Sequence, residues 1–348
     1  MNYPSKSILI LLIFHSIFLG FEIRQSRACH PTDREALLEI KKKITSDPSE
    51  LLGSWIPSKD CCTTWKGIKC DSSTGRVIAL TCLGSFYDEA NVLTNTTVSG
   101  TLSPFLGNLS SLQSLTLSDL KNLTGPIPSE LGKLTDLRQM FLDRNSLEGS
   151  IPSTIESTSL LEALVLSHNH LVGPIPLNLF NKKTSLTYLD FSNNEFSGSV
   201  PESIGNLSNL KYLFLTNNHL SGSIPPSIGN IEPLTSIELS NNNLSGPIPD
   251  SIGNLRLAQT LNLENNDLNG NIPTSIGNMI SLNNIYLAGN SLTGNIPEGI
   301  LNIKSLVEFN ISWNQLSGKI PQHKFDFPAS GFVGNPGLCG APLAPCKN

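Results

Sequence analysis

From Leu112 onward the apolar residues of this chain recur at a fixed interval. Units open at Leu112, Leu137, Leu161, Leu186, Leu210, Leu234, Ala258, Leu282 and Leu306, a period of 24 residues that stretches twice to 25. An earlier, longer unit opens at Val77 and carries an insertion around 84–97, so ten turns are expected. Within the unit 210–233, Leu210, Leu213 and Leu215 fall on one face of a short strand and leave Tyr212 and Phe214 on the other. No single unit can bury its leucines, but stacked units can, their strands forming one parallel sheet. Ten strands at the usual spacing span roughly 45 Å.

The polar positions are as regular as the apolar ones. The ninth residue is asparagine in eight consecutive units: Asn145, Asn169, Asn194, Asn218, Asn242, Asn266, Asn290 and Asn314. Where the chain leaves the strand it strands backbone N–H and C=O groups inside the coil, and a stacked amide can pair with those of its own turn and the next. These residues are therefore expected to form a structural ladder rather than a reactive site. The glycine and proline that follow, as at Gly222 and Pro225, bend the chain around the far side.

The pattern L-x-x-L-x-L-x-x-N-x-L-x-G-x-I-P over residues 77–329 resembles the plant-type extracellular leucine-rich repeats. The resemblance implies an α/β solenoid, a right-handed superhelix of about ten turns with a concave parallel β-sheet and disulfide-closed caps. Residues 29–76 would form the N-terminal cap. There Thr32-Asp33-Arg34-Glu35 reads as a capping box opening a helix with Ala36, Leu37, Ile40 and Ile44 on one face, and Trp55 and Trp65 are expected beneath it. Residues 330–348 would form the C-terminal cap.

Residues 1–28 read as a secretory signal peptide: Lys6, an apolar stretch over Ile8–Phe21, then Ser26-Arg27-Ala28. No comparable apolar run follows, so no membrane span is expected, and the chain reads as secreted to the extracellular space or cell wall. Six N-x-S/T sequons, at Asn95, Asn108, Asn122, Asn206, Asn243 and Asn310, are candidate glycosylation sites that fit export. The formal charge is −5, which becomes −7 without the first 28 residues, and nucleic acid is excluded as a partner on that ground. The seven cysteines cluster at the ends of the mature chain, as disulfides at the termini of an exported solenoid would. Cys82 stands where the first unit should have an inward leucine and is expected to be a buried free thiol.

Sequence motifs for chemistry are missing. The chain contains no G-x-S-x-G, Gly-rich phosphate loop or H-E-x-x-H. His168 and His170 flank a ladder asparagine without further ligands at matching positions, so no metal and no cofactor is expected. Carboxylates recur on the strand face at Asp143, Asp190, Glu238, Glu264 and Glu308, but an open sheet desolvates them too little for a glycosidase pair. The reading is a monomeric binding protein and not an enzyme. Its candidate surface is the outward strand positions of the middle turns, Phe141, Val165, Tyr188, Asp190, Tyr212, Phe214, Glu238, Asn262, Glu264 and Tyr286, where exposed aromatic residues beside acids are expected. Asn310 would place a sugar at the C-terminal end of that face.

Three stretches, Cys29-His-Pro-Thr-Asp-Arg-Glu-Ala-Leu-Leu-Glu-Ile-Lys-Lys-Lys43, Trp55-Ile-Pro-Ser-Lys-Asp-Cys-Cys62 and Leu120-Lys-Asn-Leu-Thr-Gly-Pro-Ile-Pro128, are similar to the plant polygalacturonase-inhibiting proteins. That resemblance implies a cell-wall defence protein that clamps a fungal pectin-degrading enzyme on its concave face. Adjacent cysteines rarely bond each other, and the family's cap implies Cys29–Cys61 and Cys62–Cys70, with Cys339–Cys346 closing the far end; spacing alone leaves other pairings open. Phe332-Val-Gly-Asn-Pro-Gly-Leu-Cys-Gly340 instead resembles the ectodomain ends of plant receptor-like kinases, and implies a soluble receptor-like protein that binds a peptide or a membrane receptor in signalling. The abundant Asn, Ser and Thr also admit a wall-binding or ice-binding surface.

Overall fold

The structure, a computed structural model, describes residues 27–87 and 93–347. The expected leader, apart from its last two residues, lies outside the described residues. The repeats coil into a solenoid whose ten parallel concave strands run from Val77–Leu83 to Glu308–Asn310, with the antiparallel strand Ile68–Cys70 joining the N-terminal edge. Each turn contributes Leu210-, Leu213- and Leu215-type residues to one continuous core in which these three are fully buried.

The single sheet expected from the alternating leucines is joined by a second. Residues just after the ladder asparagine, such as His219–Gly222, pair from turn to turn into a 12-stranded sheet that begins with Ile44–Ser46 and ends with Gly337–Cys339. The signal for it is weak, because each strand holds one inward leucine followed by serine and glycine. What makes the corner between the sheets is the eighth position, which is left-handed in every turn from Asp119 to Gly334: Asn193, Asn217, Asn241 and Asn265 have φ between 53° and 57°. Asparagine tolerates that conformation better than other residues with a β-carbon, which explains its frequency there. The far side carries 3-10 turns such as Pro226–Asn230, each entered through a proline.

The ladder is visible atom by atom. Asn218 Nδ2 donates to the carbonyls of Phe191 at 3.0 Å and Leu215 at 3.1 Å, while its Oδ1 accepts the Phe196 N–H at 3.0 Å. One side chain thus serves two turns. Asn335 repeats the arrangement in the C-terminal cap, donating to Ile311 and Phe332 and accepting from Leu316 N–H. The cap therefore imitates a further turn, with Gly334 in the left-handed position and Phe332 buried in the core.

In the N-terminal cap the helix spans Pro31–Lys41, with His30 at its N-cap and no side-chain capping bond. The capping box expected at Thr32 is not formed, because Pro31 occupies the first helical turn and Asp33 is drawn elsewhere. Its buried carboxylate accepts two bonds from the Arg76 guanidinium, at 2.9 and 2.8 Å, and one from Val77 N–H at 2.7 Å, fastening the helix to the first concave strand. Trp55 and Trp65 stack beneath it with centroids 5.3 Å apart. Disulfides join Cys29 to Cys61, Cys62 to Cys70 and Cys339 to Cys346.

Two turns carry an unexpected polar pair in the core. The slot before each new unit is apolar and buried at Leu207, Ile231, Leu255, Met279 and Ile303, yet Thr158 and Lys183 occupy it in successive turns. The fully buried Lys183 ammonium donates to the carbonyls of Ile155 (2.9 Å) and Thr158 (2.8 Å) and to the Thr158 hydroxyl (3.1 Å). Burial pulls its pKa down to about 8.

Candidate recognition surface on the concave face

Parallel pairing without register shifts brings the outward residues of the middle turns into rows. Phe141, Val165, Asp190, Phe214, Glu238, Asn262, Tyr286 and Asn310 sit side by side on successive strands, and Ala163, Tyr188 and Tyr212 form the row beside them. Because these residues project from the face opposite the leucines, they cannot join the core. They form a second apolar cluster instead: Phe141, Ala163, Val165, Tyr188 and Phe214, with Tyr212 packed against it.

The expectation of exposed aromatics needs correcting. Phe141, Val165, Tyr188, Asp190 and Phe214 are all buried, Phe214 retaining 7% of its exposure, whereas Tyr212, Glu238, Asn262, Glu264 and Tyr286 are half-buried. Strands less than 5 Å apart bring neighbouring rings into contact. Tyr188 lies 5.6 Å from Tyr212 and 5.5 Å from Phe214, centroid to centroid, so each ring covers the next. Ala163 belongs to this cluster although its small side chain gave no sequence signal; its place in the third position of its unit was the available clue.

Acids border the cluster. Asp190 accepts bonds from Ser192 N–H at 3.0 Å and from the Ser192 hydroxyl at 2.5 Å. Asp143 accepts one from the Ser118 hydroxyl at 2.7 Å, and burial raises its carboxyl pKa. The Tyr188 phenol is also pushed upward, first by burial and then by the charges of Asp190 and Asp143. Toward the C-terminal end the face changes to an acid–amide network: Asn262 donates to Glu238 at 2.8 Å, Asn310 to Glu264 at 2.7 Å, and the Tyr286 hydroxyl to Glu308. Burial raises the pKa of Glu264.

The six sequons divide unequally. Asn95, Asn108, Asn122, Asn206 and Asn243 are exposed and lie off the concave strands, whereas Asn310 is half-buried on the last one, its amide nitrogen already bonded to Glu264. The sulfurs of Cys29, Cys61 and Cys62 lie within 4.8 Å of one another, but all three belong to disulfides and are not thiolate ligands. His168 Nε2 lies 3.3 Å from the Asn193 amide, and His170 is 3.8 Å from Glu195, so the two histidines turn to different neighbours. Cys82 is a buried free thiol whose pKa burial pushes up to about 12, away from any reactive range.

Residues 30–71 match the leucine rich repeat N-terminal domain, and residues 159–220, 233–255, 258–279 and 281–303 match leucine rich repeats. The solved structure of a plant ice-binding protein aligns with 92% of this chain and 99% of its own at 30% identity and a TM-score of 0.63. This chain belongs to the plant leucine-rich-repeat proteins. Among other solved structures, the plant peptide hormone receptor RGFR1, in complex with RGF2, is 41% identical with a TM-score of 0.63, over 64% of this chain and 35% of the receptor. A polygalacturonase inhibitor from Vitis vinifera is 35% identical over 34% of this chain and 31% of the inhibitor. The leucine-rich-repeat protein spans little more than a third, 37%, of each of the first curated relatives that it matches. Its relatives include polygalacturonase inhibitors, a receptor-like protein and the ectodomains of peptide hormone receptors. Among the described residues, no helix is long and apolar enough to cross a membrane.

Proposed function

We propose that this protein is secreted to the plant cell wall and holds a protein partner on the concave face of its middle turns, inhibiting a fungal polygalacturonase. The supporting observation is the apolar cluster around Tyr188, Tyr212 and Phe214 on the side of the sheet away from the core, bordered by Asp143 and Asp190. A soluble repeat protein has no folding requirement for an apolar cluster outside its core, and such a surface is suited to an interface whose centre is apolar and whose edge is charged. The five exposed sequons would keep sugar off this region. Similarity to polygalacturonase inhibitors supports the choice of partner.

Recognition of a peptide in signalling is the second reading. It is favoured by the 41% identity to the peptide hormone receptor. A panel of fungal polygalacturonases assayed for sugar release separates the two readings: the first requires slower release by at least one enzyme, and no inhibition across the panel rules it out. Tyr212→Ala and Asp190→Asn should each weaken capture of the inhibited enzyme about tenfold with the fold intact. Unchanged binding in both variants would show that the contact surface lies elsewhere.

A further inference from the structure

The corner between the two sheets forms an edge whose side chains belong neither to the core nor to the concave strip. Each corner residue donates its N–H to the turn that follows, Asn241 to Glu264, Asn265 to Ala288, Gly289 to Ser312 and Trp313 to Val333. Successive corner residues are thus one strand spacing apart. Two of them lean over a glycine of the next turn. The Asn265 amide oxygen lies 2.5 Å from where a β-carbon on Gly289 would stand, and the Trp313 ring carbons Cδ2 and Cε3 lie 2.8 Å from the corresponding point on Gly334. The indole therefore rests on the bare backbone of the C-terminal cap.

Trp55 and Trp65 are buried in the N-terminal cap, whereas Trp313 is 68% exposed. Its neighbour one turn back along the edge is Gly289, which has no side chain to cover the ring. An indole presents a large apolar face with a polar tip, and the C–H side of a sugar ring can pack on such a face. The same edge holds a sequon. Asn243 is exposed, opens the strand Asn243–Pro247 and lies two residues beyond the corner residue Asn241. Trp313 belongs to the third turn after it, roughly 14 Å away at the spacing of parallel strands and within the reach of a few linked sugars. Between them the corner carries Asn265 and Gly289 and the strand openings carry Asp267 and Ser291, so neither row presents a lysine or arginine.

We propose that Asn243 carries an N-linked glycan whose sugars lie along this edge and pack on the open face of Trp313. The inference rests on export, which N-linked glycosylation requires. The core of such a glycan is uncharged and rich in hydroxyls, and the edge meets it with amides: Asn265 Nδ2 donates to Asn241 at 2.9 Å, which holds both side chains in place. Tethering does the rest. A contact between sugar and indole too weak to retain a free saccharide becomes populated when the attachment point keeps the sugar beside the ring at high effective concentration. Asn310 is the sequon nearer to Trp313 in sequence, but it is half-buried on a concave strand with its amide nitrogen bonded to Glu264. Packed sugar would shield an apolar end of the solenoid that also exposes Val333.

The test uses the full chain secreted from plant cells, with peptide mass spectrometry to read each sequon and acrylamide quenching of tryptophan fluorescence to read the contact. Of the three tryptophans only Trp313 is exposed, so quenching reports on that ring. Asn243 should carry sugar, and quenching should rise about twofold when an N-glycanase removes it, as the open face of the ring is uncovered. Asn243→Gln should reproduce that rise at unchanged circular dichroism, and Asn310→Gln should not. Quenching that stays the same after deglycosylation would overturn the proposal, as would an equal rise in Asn310→Gln, which would assign the contact to the concave sequon. A bare Asn243 beside sugar at Asn108, Asn122 or Asn206 would overturn this inference alone. Sugar at no sequon would overturn it together with the export on which it rests.

Discussion

Two asparagines that are neighbours in sequence have opposite duties. Asn218 satisfies carbonyls of two turns and one amide, whereas Asn217 holds the left-handed corner and donates to the half-buried Asn193 side chain at 2.7 Å. Asn218→Ala orphans buried groups and should cost about 3 kcal/mol. Asn217→Gly keeps the corner and should change stability by less than about 1 kcal/mol. Chemical denaturation of the two variants measures the contrast, and equal effects would contradict the division of labour. The buried Lys183 makes a prediction of a different kind. Its pKa falls from 10.5 to about 8 on folding, so the unfolded chain holds the proton more tightly. Below pH 8 both states are charged and the cost of burying the cation is complete; between pH 8 and 10.5 the folded state gives up its proton first, and stability rises with pH. Lys183→Met should abolish that rise, on the order of 2 kcal/mol, in a comparison of melting curves from pH 7 to 10. Parallel curves for variant and wild type would place the titration elsewhere.

At the scale of the strand, one side is buried by the core and the other by its own neighbours, and the two should respond differently to truncation. Leu213→Ala opens a cavity in the closed core and should cost about 3 kcal/mol. Phe214→Ala removes a ring from a cluster open to solvent, where Tyr188 and Tyr212 can close over the gap, and should cost about half as much; equal shifts in urea midpoint would refute this. The same comparison shows how much of the structure was legible beforehand. The inward Leu210, Leu213 and Leu215 and the ladder asparagines were readable because every turn repeats the same physical demand. The burial of Phe141, Val165 and Tyr188 was not, because it depends on which rings meet across strands, and register becomes definite only when turns are stacked. Asn335 is not legible from the repeat pattern, because its turn keeps the corner and the ladder amide but has Phe327 and Phe332 in place of the flanking leucines. Asp33 lies in a stretch that reads as a local helix cap, yet its partners Arg76 and Val77 are more than forty residues away, and nothing in the local pattern announces such a contact.

At the scale of the whole molecule, charge and apolar surface are distributed by face. The concave side carries the apolar cluster and the acids that border it, whereas Lys304, Lys319 and Lys324 line a groove beside the C-terminal cap. Asn335 shows how the stack of turns is brought to an end: the cap accepts the last coil by presenting the same amide, at the same carbonyls, that any further coil would present. Neither the cap nor the coil beneath it registers how many coils came before. The 24 residues from Leu210 to Pro233 could therefore be excised as a cassette, joining Asn209 to Leu234 across surfaces of the same kind. The shortened molecule should fold, with its two ends drawn closer by one strand spacing of about 4.8 Å. Length in such a chain is inherited in whole steps, and the reach between its two faces and its two ends can be lengthened or shortened without redesigning either.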